Sequence, residues 1–128
     1  MTAKTAHTIV TYLIAAVWLI NGLCCKVLNM VPRHELIVAR ILGADHSRFL
    51  IVAIGCSEIV MAAWIISGRK ALLNTWTQII VIATMNTLEF LLAPDLLLWG
   101  HLNALFAFLL IVVIYANRYY LRPLIQPA

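Results

Sequence analysis

Four long runs of hydrophobic residues divide the chain, and short polar segments separate them. The runs cover approximately residues 8–29, 49–66, 71–92 and 96–117. Each run approaches or exceeds the roughly 20 apolar residues that a helix needs to cross a ~30 Å hydrocarbon core. Polar and apolar positions do not alternate along the runs, which argues against the strands of a β-barrel. Because backbone groups in lipid must bond within their own segment, we predict four transmembrane helices.

The segments between the runs predict how the helices are connected. The segments "SGRK" and "APD" are short, and short connections join antiparallel neighbours in helical bundles. The longer segment "PRHELIVARILG" has Pro32 where a first helical turn tolerates proline and Gly43 where a helix ends. We therefore predict an all-α membrane protein, an antiparallel four-transmembrane-helix bundle with a short interfacial helix between spans 1 and 2. Residues 1–128 form a single integral membrane domain.

The composition supports a bilayer as the natural solvent. Of the 128 residues, 64% are hydrophobic and 11% are charged, whereas a soluble domain has about 25% charged residues. The net charge is +4, but the basic residues are scattered, so we expect no nucleic-acid partner. Their expected role is to anchor helix ends to lipid headgroups. The first run is too long for the apolar core of a signal peptide and lacks a clear cleavage site, so we expect no cleavable signal.

The distribution of basic residues predicts the orientation. The two termini and the "SGRK" segment share one side, which carries Lys4, Arg69, Lys70, Arg118 and Arg122. The other side carries Arg33, Arg40 and Arg48. The positive-inside rule therefore favours cytoplasmic termini in a cell inner membrane. Arg33 and Arg40 share one helix face, where they contact phosphate headgroups or, alternatively, a ligand or partner.

Polar residues interrupt the hydrophobic runs at positions that predict a binding pocket. At 100° per residue, Lys26 shares one face of the first helix with Trp18 and Asn21. An ionisable residue within a span costs a few kcal/mol unless it faces the interior and finds a partner. We therefore predict a polar intramembrane cluster that binds a ligand, with Lys26 neutralised by Glu89 first and Glu58 second. The candidate ligand-binding residues are Trp18, Asn21, Lys26, Glu58, Asn86, Glu89 and His101.

Structural roles compete with this hypothesis. Lys26 and Glu89 can instead extend toward the membrane interface, where their charges stay in water. Glu58 lies mid-span and can serve as a buried, protonated carboxyl that makes structural hydrogen bonds. His101 can lie at headgroup level, and the asparagines can join helices by hydrogen bonds.

The chain shows no recognised metal or cofactor motif. Cys24 and Cys25 are adjacent, Cys56 is alone, and no CxxC spacing occurs. Cysteines buried in helices usually behave as small hydrophobic residues. No ligand cluster indicates a metal, and no P-loop, GxGxxG, HExxH or haem CxxCH motif appears.

Several motifs, taken in order, resemble those of the DoxX-like family of small four-span bacterial membrane proteins. They are Trp18-Leu-Ile-Asn21-Gly22 followed by Lys26, then Pro32-Arg33-His34 with Ile37-Val38, Gly55-x-x-Glu58, and Pro94-Asp95-Leu96 with Gly100. The resemblance covers nearly the whole chain and implies an inner-membrane four-helix protein. Wider relatives include the DoxD-type membrane subunit of thiosulfate:quinone oxidoreductase, which implies a quinone link. No catalytic motif of the family transfers residue by residue, so catalytic residues stay unassigned.

Two functions follow from these observations. In the first, the protein binds a quinone or another lipid-like ligand, with carbonyl oxygens on Lys26, Asn21 or Glu58. A mid-membrane carboxyl is then a proton donor, and a redox role needs a partner protein. In the second, the protein is a scaffold or assembly partner, and the polar cluster only specifies helix packing. The small residues Gly22 and Gly55 predict a homo-oligomer or a membrane-protein partner, beside membrane lipid.

Overall fold

The computed structural model is all-helical over the residues that it describes, 2–28, 30, 32–96 and 103–121. Its α-helices are α1 (Ala3–Leu19), α2 (Arg33–Leu42), α3 (Ser47–Ser67), α4 (Ala71–Leu92) and α5 (Asn103–Ala116). Two of them continue directly as π-helical segments, α1 through Ile20–Val27 and α5 through Asn117–Leu121, and the labels α1 and α5 below include these continuations. A single 3-10 turn, Pro94–Leu96, follows α4.

Three helices in the described part of the chain are long and apolar enough to cross a membrane. They are Ala3–Val27, Ser47–Ser67 and Ala104–Leu121. The fourth long helix, α4, has 22 residues, so its length is sufficient. Its hydropathy is lower because it carries Asn74, Gln78, Asn86 and Glu89.

The helix boundaries agree with the hydrophobic pattern in the middle of the chain and differ near its ends. The helices α3 and α4 match the predicted runs 49–66 and 71–92 within two residues. The first helix begins at Ala3, earlier than predicted, because the Thr2 hydroxyl caps it by accepting from the Thr5 backbone N–H at 3.1 Å. The predicted start of the fourth run, residue 96, ends the 3-10 turn, and residues 97–102 lie outside the described part.

The predicted short helix between the first two runs is confirmed as α2. Pro32 precedes it and Gly43 follows it with φ +102°, a backbone conformation that favours glycine. The helix packs against both α3 and α4. It therefore covers the end of the molecule at which the first π-helical segment terminates.

The closest helix contact joins α1 to α3 through two glycines. A Cβ added to Gly22 would lie 2.5 Å from the Gly55 carbonyl oxygen, and one added to Gly55 would lie 2.6 Å from the Gly22 oxygen. Gly22 and Gly55 therefore allow a close backbone approach within the chain itself, and association with a second copy or with another protein stays a prediction. The hydrophobic core is a separate cluster of buried residues from α1, α3, α4 and α5: Ile14, Ala15, Trp18, Met61, Ala62, Ile65, Ile82 and Ile114.

Candidate ligand-binding site

Lys26 forms a buried ion pair with Glu58. The Lys26 Nζ atom lies 2.8 Å from Glu58 Oε1, and the two residues are only 6% and 5% exposed. The contact is therefore an ion pair between two side chains that are both shielded from solvent. The prediction that Glu89 is the first partner of Lys26 is wrong, as is the alternative in which Lys26 extends into water.

The local backbone explains why Glu58 is the partner. Residues Ile20–Val27 follow a π-helix, whose wider i→i+5 turns rotate Lys26 away from the direction given by α-helical spacing. The contact at Gly55 then brings α3 against the stem of this lysine, since a Cβ at Gly55 would lie 2.9 Å from Lys26 Cβ. Glu58 lies one turn further along α3 and meets the ammonium group.

Arg48 fixes the end of this π-helical segment. Its Nη1 donates to the Lys26 carbonyl oxygen at 3.1 Å, and its Nη2 donates to the Val27 oxygen at 2.8 Å. The last carbonyls of a helix lack partners within the helix, and a cation there also complements the helix dipole. Arg48 Nη1 lies 3.8 Å from Glu35 Oε1 on α2 as well. The sequence placed Arg48 only as an interfacial charge, so this capping role was missed.

The ion pair lies in the wall of a cavity of about 410 Å³. This volume falls within the usual range of small-molecule pockets. Six of the seven predicted binding residues line the cavity: Trp18, Asn21, Lys26, Glu58, Asn86 and Glu89. His101, the seventh, lies outside the described residues. Whether these residues bind a ligand stays a prediction.

Two polar residues of the cavity come from α2. Arg33 and His34 line it; the sequence analysis gave Arg33 headgroup contact or, alternatively, a ligand or partner, and left His34 without a role. Burial, with additional contributions from the charges of Lys26 and Arg33, lowers the pKa of His34 from 6.5 to about 4. His34 is therefore neutral at neutral pH and offers one hydrogen-bond donor and one acceptor. The only sign of this role in the sequence was the Pro32-Arg33-His34 motif, which contains both residues.

Arg40, on the same helix as Arg33, has a different role. Its Nη1 and Nη2 atoms donate to Asp95 Oδ1 and Oδ2 at 2.8 and 3.1 Å. The hydrogen bonds from Arg40 lower the pKa of Asp95, and this two-point contact joins α2 to the turn after α4. An ion pair within the chain was not among the roles that the sequence suggested for Arg40.

Hydrogen bonds orient the uncharged polar residues of the site. Asn21 Nδ2 donates to the Val17 carbonyl oxygen at 3.0 Å, which leaves its second N–H and its amide oxygen for other partners. Trp18 Nε1 donates to Gln78 Oε1 at 2.9 Å. The indole N–H of Trp18 is therefore already bonded within the protein, and its ring contributes apolar surface to the cavity.

Comparison of the sequence with models of known protein families identifies the family to which the chain belongs. The model of the DoxX-like family matches residues 15–116. The chain belongs to the DoxX-like family. The match contains the ion pair and the described walls of the cavity, and it confirms the resemblance inferred from the sequence motifs. No curated protein and no solved structure shows significant similarity to the chain.

The three cysteines of this DoxX-like protein form no disulfide in the structure. Cys24 and Cys25 are partly buried, and Cys56 is exposed on α3. Cys25 lines the cavity beside Lys26. The chemistry of the site therefore consists of an ammonium group, a guanidinium group, two carboxyl groups, amides, a neutral imidazole and a thiol, set against aromatic and aliphatic walls.

Proposed function

We propose that this DoxX-like protein binds a lipid-like ligand, such as a quinone, in the cavity beside Lys26 and Glu58. One observation carries the proposal: an ion pair that is almost fully buried lines a cavity large enough for a small molecule. Burying two charges is unfavourable unless further polar contacts offset their lost hydration. A ligand with polar atoms beside the pair supplies such contacts.

The cavity suits a ligand with carbonyl oxygens on an apolar ring. Lys26 has three N–H donors, and its contact with Glu58 leaves donors for a ligand oxygen. Trp18, Phe106 and Leu110 supply apolar surface for the ring and for an attached chain. Reduction of a quinone also requires protons, and Glu58, which is a carboxylate in its pair with Lys26, would pass a proton to the ligand only after taking one up itself. Electrons would come from a partner protein, so the redox role proposed is that of a membrane subunit.

The proposed setting is an antiparallel four-transmembrane-helix bundle in the cell inner membrane. In this bundle α4 is a transmembrane span in addition to the three more apolar helices. Two of its polar residues, Asn74 and Gln78, face inward and are only 5% and 3% exposed. The short helix α2 lies at the membrane interface on the side opposite the termini. Both termini lie in the cytoplasm, as the positive-inside rule favours.

Extraction of the purified protein tests the proposed ligand. We expect the protein in mild detergent to carry a quinone or related lipid, identified by mass spectrometry of an organic extract. The double variant Lys26→Met with Glu58→Gln, which leaves no unpaired charge, should lose most of it. The variant Thr77→Val is a matched control, since it removes a polar group from a partly exposed position on α4 outside this cavity. A wild-type protein that neither carries nor takes up added quinone would contradict the proposal.

The same contacts favour an alternative function as a scaffold or assembly partner. Gly22 meets Gly55, and Lys26 meets Glu58, so one stretch of α1 is matched to one stretch of α3. A buried polar pair of this kind can serve only to specify how helices pack. Equal quinone content in the wild type and in the double variant would favour this function.

We also propose that the chain self-associates or binds another membrane protein. Four short helices enclose a small core, and large apolar residues such as Phe49, Val60 and Leu91 are more than 60% exposed. Lipid covers such residues equally well, so association must be measured. We expect native mass spectrometry in mild detergents to show a dimer or larger species. Monomers alone across several detergents would exclude self-association.

A further inference from the structure

A second cavity lies at the opposite end of α1 from Lys26. Its volume is about 310 Å³. It lies between the start of α1, the end of α3, the start of α4 and the π-helical end of α5. Its polar lining residues are His7, Thr8, Thr11, Arg69, Asn74, Thr75, Gln78, Asn117 and Arg118. None of these was among the predicted binding residues.

The charges around this terminal-side cavity are all positive in the described part of the chain. Arg69 and Arg118 line it, and no aspartate or glutamate does so. The Nε atom of Arg118 is buried and has no hydrogen-bond partner among the described residues. A buried N–H without a partner is costly. The cavity therefore offers an unused cationic donor, in contrast to the site at Lys26, where carboxyl groups balance the charge.

Neutral groups beside the arginines are held in fixed positions. His7 Nδ1 and Asn117 Oδ1 form a hydrogen bond of 2.9 Å, and Asn117 Nδ2 donates to Thr11 Oγ1 at 3.0 Å. Because the Thr11 hydroxyl accepts this bond, its own hydrogen remains available to an anion. The π-helical turn that begins at Asn117 places this amide beside Arg118.

The terminal-side cavity has apolar lining residues beside the polar ones. Ile14, Ile65 and Ile114 form its apolar part and are themselves buried. At the same end of the molecule, Trp76 donates to the Tyr119 hydroxyl at 3.0 Å. Pairs of tryptophan and tyrosine are typical of the headgroup level of a bilayer. The arginines therefore lie at the depth of phosphate groups.

We propose that the terminal-side cavity binds a phosphate anion carried by an amphiphile. Arg69 and Arg118 pair with the phosphate oxygens, since guanidinium groups bind planar sets of oxygens through two parallel N–H donors. An acyl chain lies against the isoleucines. A zwitterionic lipid fits less well because its ammonium group finds no carboxylate among the described lining residues.

Lipid binding to the full-length protein in nonionic detergent tests this proposal. Native mass spectrometry would measure retention of phosphatidylglycerol, with phosphatidylcholine and inorganic phosphate as separate probes. We expect Arg118→Gln and Arg69→Gln each to lower retention of phosphatidylglycerol by about fivefold or more. Arg69 is exposed, so its variant should fold even if the Arg118 variant does not. Lys4→Gln is the matched control because it removes a charge from the same end, outside the cavity.

The possible outcomes separate the two sources of phosphate. Stronger retention of phosphatidylglycerol than of phosphatidylcholine, unaffected by inorganic phosphate, supports a lipid phosphate in the cavity. Displacement of the lipid by inorganic phosphate supports the phosphate site but assigns it to the free anion. Equal losses in the Lys4 and Arg118 variants would overturn the proposal, since they indicate diffuse surface attraction. Retention that does not differ between the two lipids would overturn it as well.

Discussion

At the scale of single residues, Lys26 and Glu58 depend on each other. Removing one partner of a buried pair leaves the other charge without compensation, which typically destabilises a protein by ~3–5 kcal/mol. We therefore expect Lys26→Met alone and Glu58→Gln alone each to lower the free energy of unfolding. The double variant should recover part of this loss. Thermal unfolding of the four proteins of this cycle in one detergent measures the coupling.

Glu89→Gln is the matched control for this cycle. It makes the same chemical change in the same cavity, but the ion pair of Lys26 is with Glu58. The coupling between Lys26→Met and Glu89→Gln should therefore be clearly weaker than the coupling between Lys26→Met and Glu58→Gln. Strong coupling to Glu89 together with none to Glu58 would restore the partner that the sequence analysis placed first and would contradict the structure.

His34 makes the stability of the protein dependent on pH. Its pKa in the folded protein is about 4, below its ordinary value of 6.5. Between these values the unfolded chain binds a proton that the folded protein does not, so stability falls as the pH is lowered from 6.5 to 4. We expect His34→Gln to have a shallower fall in melting temperature across this window. The exposed His46 provides the control, and His46→Gln should retain the wild-type slope.

At the scale of elements, the contact between α1 and α3 leaves no room for a side chain at Gly55. Replacing glycine by alanine in an exposed helix stabilises it by about 1 kcal/mol. At Gly55 the added Cβ would meet the backbone of α1, so we expect Gly55→Ala to destabilise by about 1–3 kcal/mol. Ala63→Leu adds more volume at an exposed position of α3 and should have little effect. Melting temperatures that rank the two variants in the opposite order would refute this close contact.

The hydrophobic pattern was sufficient to predict the elements but not the partners within the site. The hydrophobic runs predicted where α3 and α4 begin and end, and Pro32 and Gly43 predicted the ends of α2. These boundaries could be predicted because they depend on residues next to them in the sequence. The partner of Lys26 was missed because Glu58 and Glu89 both line its cavity, and only the close contact of Gly22 with Gly55 brings Glu58 against the ammonium group. The spacing of residues along one helix does not encode such a contact between two helices.

At the scale of the whole molecule, the proposed topology predicts which loops face the cytoplasm. In a variant without native cysteines, a cysteine at Ser67 should react only from the cytoplasmic side. A cysteine at Ala44 should react only from the opposite side. Ala44 is preferable to its neighbour Gly43, whose φ of +102° disfavours any other residue. Labelling of Ser67→Cys from the periplasm would reverse the orientation, and labelling of both sites from one side would exclude the four-span topology.

The ion pair between α1 and α3 also constrains how the chain enters a membrane during synthesis. The first long helix carries Lys26 and emerges from the ribosome before the helix that carries Glu58. Until both are present, the lysine is an unpaired charge in a segment that is otherwise suited to lipid. The segment from α1 to α3 is therefore the shortest part of this chain in which Lys26 meets Glu58, and we expect α1 to be stable in lipid only after α3 has been synthesised.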